Sequence, residues 1–314
     1  MHLFLAGGSG ALGRQLVPLL VAEGHRVVAL TRTSEGAALL SAMGATPVVG
    51  DVFDRHLLDA AVARAEPEIV IHQLTAFGAP PSASGGSSDP LAATIRVRTE
   101  GTRNLVEAAR HAGARRFIAQ SISFVCTPVA SGLTDEETPL YLDAPPAIRP
   151  LVQSIADLEN QTIHESGLEG VVLRYGWFYG PGTSFAADAA ISRAIRKGRM
   201  PIVGEGRGTY SLVHVRDAAL ATRAALTRAA PGIYNVVDDD PVQLSTWLPV
   251  VARLLGAPPP GSMTVDHARE KLGDFVVYVY DQQSGASNRK VKRLLDWRPT
   301  IPSWEEGFQH LAAD

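Results

Sequence analysis

The segment AGGSGALGRQL, residues 6 to 16, sets Gly7, Gly10 and Gly13 at a spacing of three, directly after the apolar run HLFLA (2–6). An apolar run, a glycine turn and then an amphipathic stretch make a strand–turn–helix unit. Glycine is needed where the backbone takes φ/ψ values closed to other residues, where the chain must approach a ligand closely, and where a helix packs tightly on a strand. The first amides of such a helix have no partner within it and are free to receive a diphosphate. The turn is therefore a candidate phosphate cradle, with Gly7, Gly10, Ala11, Leu12 and Gly13 as its backbone.

The surrounding sequence repeats the unit. RVVAL (26–30), TPVV (46–49), IVIH (69–72), RFIAQ (116–120) and GVVLRY (170–175) read as strands, and 11–22, 35–43, 55–65, 90–111 and about 150–166 as helices. Asp89-Pro90 gives an N-cap followed by proline at the first helical position, a clean helix start. Strictly alternating strands and helices imply a parallel sheet covered on both faces. The expected fold is thus α/β, a Rossmann-type doubly wound parallel sheet over 1–175. A smaller C-terminal substrate lobe follows over 176–314, some of whose segments return to the first domain. There, 184–197, 216–228 and 245–255 read as helices, and SLVHV and GIYNVV as short strands. The loops 78–90 and 127–150 are long for simple connections and suit a lid or binding role.

A formal charge of −3 and a pI near 6.3 argue against nucleic acid or an anionic membrane as partner. No apolar run approaches the roughly 20 residues that a bilayer needs. With one cysteine, Cys126, an internal disulfide is excluded, and a cytoplasmic location is expected. No set of residues has the spacing of a metal site, so the expected partner is a small-molecule substrate.

Further motifs sharpen the reading. Gly50-Asp51-Val52 with Asp54, IHQLTA (71–76), LRYGWFYGPG (173–182), VGEGRGTYSLVHVRDAALA (203–221), GIYNVVDDDPVQLSTWL (232–248) and LLDWRPT (294–300) together resemble the extended short-chain dehydrogenase/reductase family, which includes sugar-nucleotide epimerases and dehydratases. The resemblance spans nearly the whole chain. It implies that Asp51 and Val52 meet the adenine, and that Leu74, Thr75 and Ala76 pass under the cofactor. It also permits a homodimer through the helices of 90–111 and 150–166.

The family's ribose-binding aspartate would fall at Thr31 and is absent. Arg32 follows it, and a guanidinium matches a 2′-phosphate in geometry and charge. With Arg14 to assist, this favours NADP(H) over NAD(H). The resemblance also implies a tyrosine and a lysine four residues apart after the fifth strand, where RPLVQSIADLENQ (149–161) instead puts Gln153 and Asp157. Glutamine cannot exchange a proton near neutrality, and a carboxylate raises a neighbouring phenol's pKa where an ammonium would lower it. The hydroxyl of the fifth strand falls on Ile122, flanked by Ser121 and Ser123, of which Ser121 is preferred. Tyr141 is a candidate substitute acid, ahead of Cys126, Tyr179, His72, His164 and His214. The sequence thus indicates an NADP(H)-binding oxidoreductase-like enzyme acting on a small or sugar-like metabolite through a non-standard proton donor. Redox-neutral isomerisation, elimination or cyclisation, and a non-catalytic dinucleotide sensor, are the alternatives.

Overall fold

The computed structural model describes residues 1–76 and 89–311, so most of the 78–90 loop lies outside the described residues. Six strands, β1 (His2–Ala6), β2 (Arg26–Thr31), β3 (Thr46–Val49), β4 (Ile69–His72), β5 (Arg116–Ile122) and β6 (Glu169–Tyr175), form one sheet with the strand Gly232–Val236. All seven run parallel, in the order Gly232–Val236, β6, β5, β4, β1, β2, β3. The order reverses between β1 and β4, which opens a crevice beyond their C-terminal ends. The edge strand Gly232–Val236 comes from the second half of the sequence, so the chain returns to its first domain after leaving it.

Helices cover both faces. On one side lie α1 (Ala11–Ala22), α2 (Ser34–Ala42) and α8 (Val215–Ala225), with Leu16, Leu20, Leu40, Ala218 and Ala221 in a shared core. On the other lie α3 (Arg55–Ala65), α5 (Thr102–His111) and the C-terminal half of α6 (Arg149–Ile163), joined by Leu58, Val62, Leu105, Val106 and Leu158. Two shorter helices, α4 (Pro90–Arg96) and α7 (Ala190–Arg196), and α9 (Leu244–Leu254) complete those used below.

Two expected helices differ in detail. The segment 90–111 is helical throughout but widens into a π-helical turn at Val97–Gly101. There the Thr99 hydroxyl donates to the carbonyl of Ile95 at 3.0 Å, a side-chain bond that competes with the regular backbone ladder. The helix expected over 184–197 is confined to Ala190–Arg196. Turns occupy the residues before it, where the Thr183 hydroxyl instead receives Phe185 N–H at 3.3 Å and Ser192 donates to Phe185 O at 3.1 Å.

The apolar stripe of α6 does not face outward. Leu151, Val152 and Ile155 enter the core of the second lobe beside Tyr179, Phe185, Tyr210, Trp247 and Trp304, while Leu158 enters the first. The 90–111 segment turns charged side chains outward, with Arg96 paired to Glu100 and Arg110 to Glu165. The stripe of α6 is thus buried within one chain. No helix among the described residues is long and apolar enough to cross a membrane.

Glu159 of α6 and Arg174 of β6 pair in the interior, the guanidinium meeting both carboxylate oxygens at 2.7 and 2.6 Å with side chains 6 % and 4 % exposed. Two parallel N–H···O contacts fix the orientation of α6 on the sheet. Glu159→Gln leaves a buried guanidinium uncompensated and should lower the unfolding free energy by about 3–5 kcal/mol in urea titrations. Glu159→Leu combined with Arg174→Met should recover most of that loss.

Candidate functional site

At the crevice, β1 enters the glycine turn and α1 leaves it. Gly7 has φ +101°, and a Cβ there would lie 2.7 Å from the Gln73 carbonyl. At Gly13 a Cβ would lie 2.4 Å from the Gly8 oxygen, so the helix and turn are in backbone contact. The N-cap of α1 is Gly10, which offers no side chain to its amides. The first-turn N–H groups of Ala11, Leu12 and Gly13 are thus presented at the positive end of the helix without a capping competitor. Gly182, from the crossing into the second lobe, approaches Ala11, where a Cβ would stand 3.7 Å away. Arg14 donates from Nε to Ser9 O at 2.9 Å, bracing the turn while remaining exposed. These residues fit a dinucleotide diphosphate, since Gly7 and Gly13 let the turn close on the backbone around it while the first amides of α1 stay uncapped.

Beside it, Thr31 is buried at the end of β2, and Gly36 of α2 abuts its hydroxyl. Arg32 is exposed, and Thr33 caps α2 by accepting Gly36 N–H at 3.0 Å. Glu35 is exposed nearby, its carboxyl held below the usual range by its own backbone N–H and the Thr33 hydroxyl. Past the end of the neighbouring β3, Asp51 accepts Phe53 N–H at 3.0 Å, and Val52 is buried against Gly101, its carbonyl receiving Asn104 Nδ2 at 3.0 Å.

The strand-four extension is fastened from the helix below. Leu74 N–H donates to His72 Nδ1 at 3.2 Å, so His72 carries its proton on Nε2 and donates to the Thr102 hydroxyl at 3.1 Å. Burial lowers the His72 pKa to about 3, which keeps the ring neutral. Ala76 N–H donates to Thr94 at 3.2 Å. Thr75 is half-buried between these anchors. Arg98 lies between Thr94 and Thr102 on the same helical face, 3 % exposed, with Nη1 lacking any partner and its pKa brought down to about 10 by burial. Sequence reading passed over it, although the spacing Thr94, Arg98, Thr102 was visible.

At the end of β5 the two serines part company. Ser121 donates to Glu159 Oε1 at 2.7 Å and is fully buried, so its hydroxyl is engaged within the ion-pair network. Ser123 lies one residue past the strand, with an Oγ that has no partner. The hydroxyl of the preferred Ser121 is thus taken by Glu159, while that of Ser123 is unengaged. The Glu159–Arg174 pair was also missed, although a charge inside each of two apolar stretches was its signal. Between the serines, Ile122 packs into the apolar core of the second lobe.

The N-terminal half of α6 lies toward the C-terminal edge of the sheet, because the helix runs back along β5 and β6. There Gln153 is exposed, Asp157 is half-buried, and Gln153 Nε2 donates to Asp157 Oδ1 at 3.2 Å. The structure therefore joins these two groups to each other. Tyr141 is half-buried, with its ring 5.9 Å from that of Tyr278, and no bond joins it to Gln153 or Asp157. The remaining candidates serve the scaffold. Tyr179 is buried against Phe308 and His214, and burial holds its phenol neutral. His214 caps α8 by accepting Arg216 N–H. The Cys126 thiol is pushed up to about 11 by burial, and His164 is exposed just past the end of α6. Among the described residues no group of three or more His, Cys, Asp or Glu could hold a metal.

A profile of the NAD dependent epimerase/dehydratase family matches residues 3–236. The chain belongs to that family. Among its epimerase/dehydratase relatives, the 3-diazoavenalumate denitrifying reductase of a Streptomyces species is 42 % identical over 98 % of this chain and 99 % of its own. The 2-alkyl-3-oxoalkanoate reductase of Stenotrophomonas maltophilia is 27 % identical over 82 % of this chain and 77 % of its own. Among solved structures, the UDP-glucose 4-epimerase of Thermotoga maritima, with UDP-glucose, has a TM-score of 0.78 at 21 % identity, covering 100 % of this chain and 98 % of that one. The dTDP-glucose 4,6-dehydratase of Bacillus anthracis, in complex with NAD, has a TM-score of 0.75 at 17 % identity, covering 100 % and 96 %. The epimerase/dehydratase fold and an enzymatic role of the oxidoreductase type are thus established for this chain.

Gly13→Val would drive a branched side chain into the Gly8 carbonyl. Fluorescence titration should then find nicotinamide dinucleotide binding weakened by up to about 100-fold, overpacking there costing up to ~3 kcal/mol, with the circular dichroism spectrum retained.

Proposed function

We propose that this chain is an NADPH-dependent reductase that replaces an aryl diazo group with hydrogen. The observation that carries the reading is the hydrogen-bonded Gln153–Asp157 pair, which puts an amide and a carboxylate where the family resemblance puts a phenol and an ammonium. Carbonyl reduction builds negative charge on oxygen and needs a matched acid or oxyanion donor. Reduction at a diazonium carbon does not. When bound, the dihydronicotinamide supplies a hydride. At the substrate a C–H bond forms on the carbon that bore nitrogen, the C–N bond breaks, and its electron pair departs with N2. Arenediazonium and NADPH become arene, N2 and NADP+, with charge and atoms balanced and no proton transferred. The 42 % identical relative carries both a diazo substrate and denitrifying reduction in its name. For this chemistry the protein must hold two planar partners in register and exclude water, tasks suited to the cradle, to the strand-four extension and to the stacked Phe124–Trp177 pair, whose centroids are 4.1 Å apart.

NADPH is assigned over NADH because Thr31 leaves no carboxylate at the end of β2 and Arg32 stands exposed there. A charge-assisted bond to a 2′-phosphate is worth ~1.5–3 kcal/mol. Arg32→Ala should therefore weaken NADPH binding by about tenfold or more, with NADH binding changed by less than about twofold.

The reaction is tested with 4-carboxybenzenediazonium as probe and NADPH deuterated at C4. Deuterium should appear on the ring carbon that carried nitrogen, with one N2 released per NADPH oxidised, and the Gly13→Val protein should be inactive. A hydrazine product, ring deuterium drawn from D2O instead of the cofactor, or no NADPH oxidation above the rate without protein would overturn the reading.

A further inference from the structure

We infer that Gln153 and Asp157 protect the reaction by keeping the crevice free of groups that would capture an electrophilic diazonium. The inference rests on the function proposed above and concerns what surrounds its substrate. A diazonium ion is attacked by phenolates and by amines as well as by hydride. With a phenol, its terminal nitrogen bonds to the ring carbon beside the hydroxyl, the displaced ring proton goes to water, and both nitrogens remain in an azo adduct. With a primary amine it forms a triazene, again losing one proton and no nitrogen. Either product would block the site, and neither requires an oxidant or reductant.

The distribution of nucleophiles fits this demand. The chain has four lysines, Lys197, Lys271, Lys290 and Lys292, so its first 196 residues, which hold the whole cradle and α6, contain no side-chain amine. The N-terminal amine is drawn to His25, at 3.3 Å. Tyr175 is buried with its hydroxyl bonded to Thr222 at 2.7 Å, and Tyr278 donates to Phe124 O at 2.8 Å. Cys126 is buried, 3 % exposed. On the exposed face of α6, where a reactive side chain would be most accessible, stand an amide and a carboxylate held together at 3.2 Å. The amide is inert toward diazonium. The carboxylate attracts the cation by charge without forming a stable bond to it.

The test requires no cofactor, so its outcome is separable from turnover. Unmodified protein, Gln153→Tyr, Gln153→Phe and Asp157→Lys are each incubated with 4-carboxybenzenediazonium without NADPH, then digested and mapped by mass spectrometry. Gln153→Tyr should gain one azo adduct at position 153, with the visible absorbance of an azophenol. Asp157→Lys should gain a triazene at 157. The unmodified chain and Gln153→Phe should carry no adduct on α6. NADPH binding by each variant checks that it is folded, and two different nucleophiles at two positions keep the test decisive if one variant is unstable. Absence of label in both folded nucleophilic variants would overturn the inference. So would rapid labelling of Tyr141 in the unmodified chain, since a phenol would then already lie within reach. If the unmodified protein fails to release N2 from the probe with NADPH, the proposed function fails, whatever the labelling pattern.

Discussion

The contact on which the rest depends is made of backbone alone. Gly7 lies against the carbonyl of Gln73, and Gly13 lies against that of Gly8, with no room for a carbon atom at either glycine. The first contact joins the ends of β1 and β4, the two strands between which the sheet order reverses. The second seats α1 on the turn, so that its first amides open into the crevice. A phosphate site built this way has no side chain to reposition, and its geometry is as rigid as the sheet below it.

Helix α6 then links the cradle to the second lobe. Its Leu158 belongs to the core under the sheet, while Leu151, Val152 and Ile155 belong to the core of the second lobe. The bidentate Glu159–Arg174 pair fixes its orientation, and Ser121 completes that carboxylate's bonding. Such a pair contributes little net stability when compared with well-packed apolar residues, but it tolerates only one arrangement of helix and strand. The exposed side of the same helix is thereby held in place, and Gln153 and Asp157 inherit that placement. The chemistry proposed for the crevice follows from what they lack, because a proton donor is needed where charge builds on oxygen and is not needed where N2 departs.

The elements of the first domain were legible because their signals are local. Period-two apolar runs, helical stripes and the Asp89-Pro90 start act over a few residues, and β1, α1, β3, α3 and β4 occupy the spans their sequences predict. Errors arose where a competing side-chain bond intervened, as with Thr99 in the widened turn and Thr183 and Ser192 ahead of α7. The engagement of Ser121 was hidden for a related reason. Alternation along β5 places Ser121 and Ser123 on one face, but nothing in that alternation says that a glutamate 38 residues later will take the first hydroxyl.

By itself, the sequence determined the strand–helix rhythm, the glycine cradle and the absence of a phenol and an amine at positions 153 and 157, since each depends on residue type and short-range spacing. Only the tertiary structure decided that the strand Gly232–Val236 returns to the edge of the first sheet, that the stripe of α6 is divided between two cores, and that Arg98 is buried with its Nη1 lacking a partner. These are matters of which distant segments share a volume. Close packing settles them through the shapes of many side chains at once, and no single stretch of sequence encodes that fit.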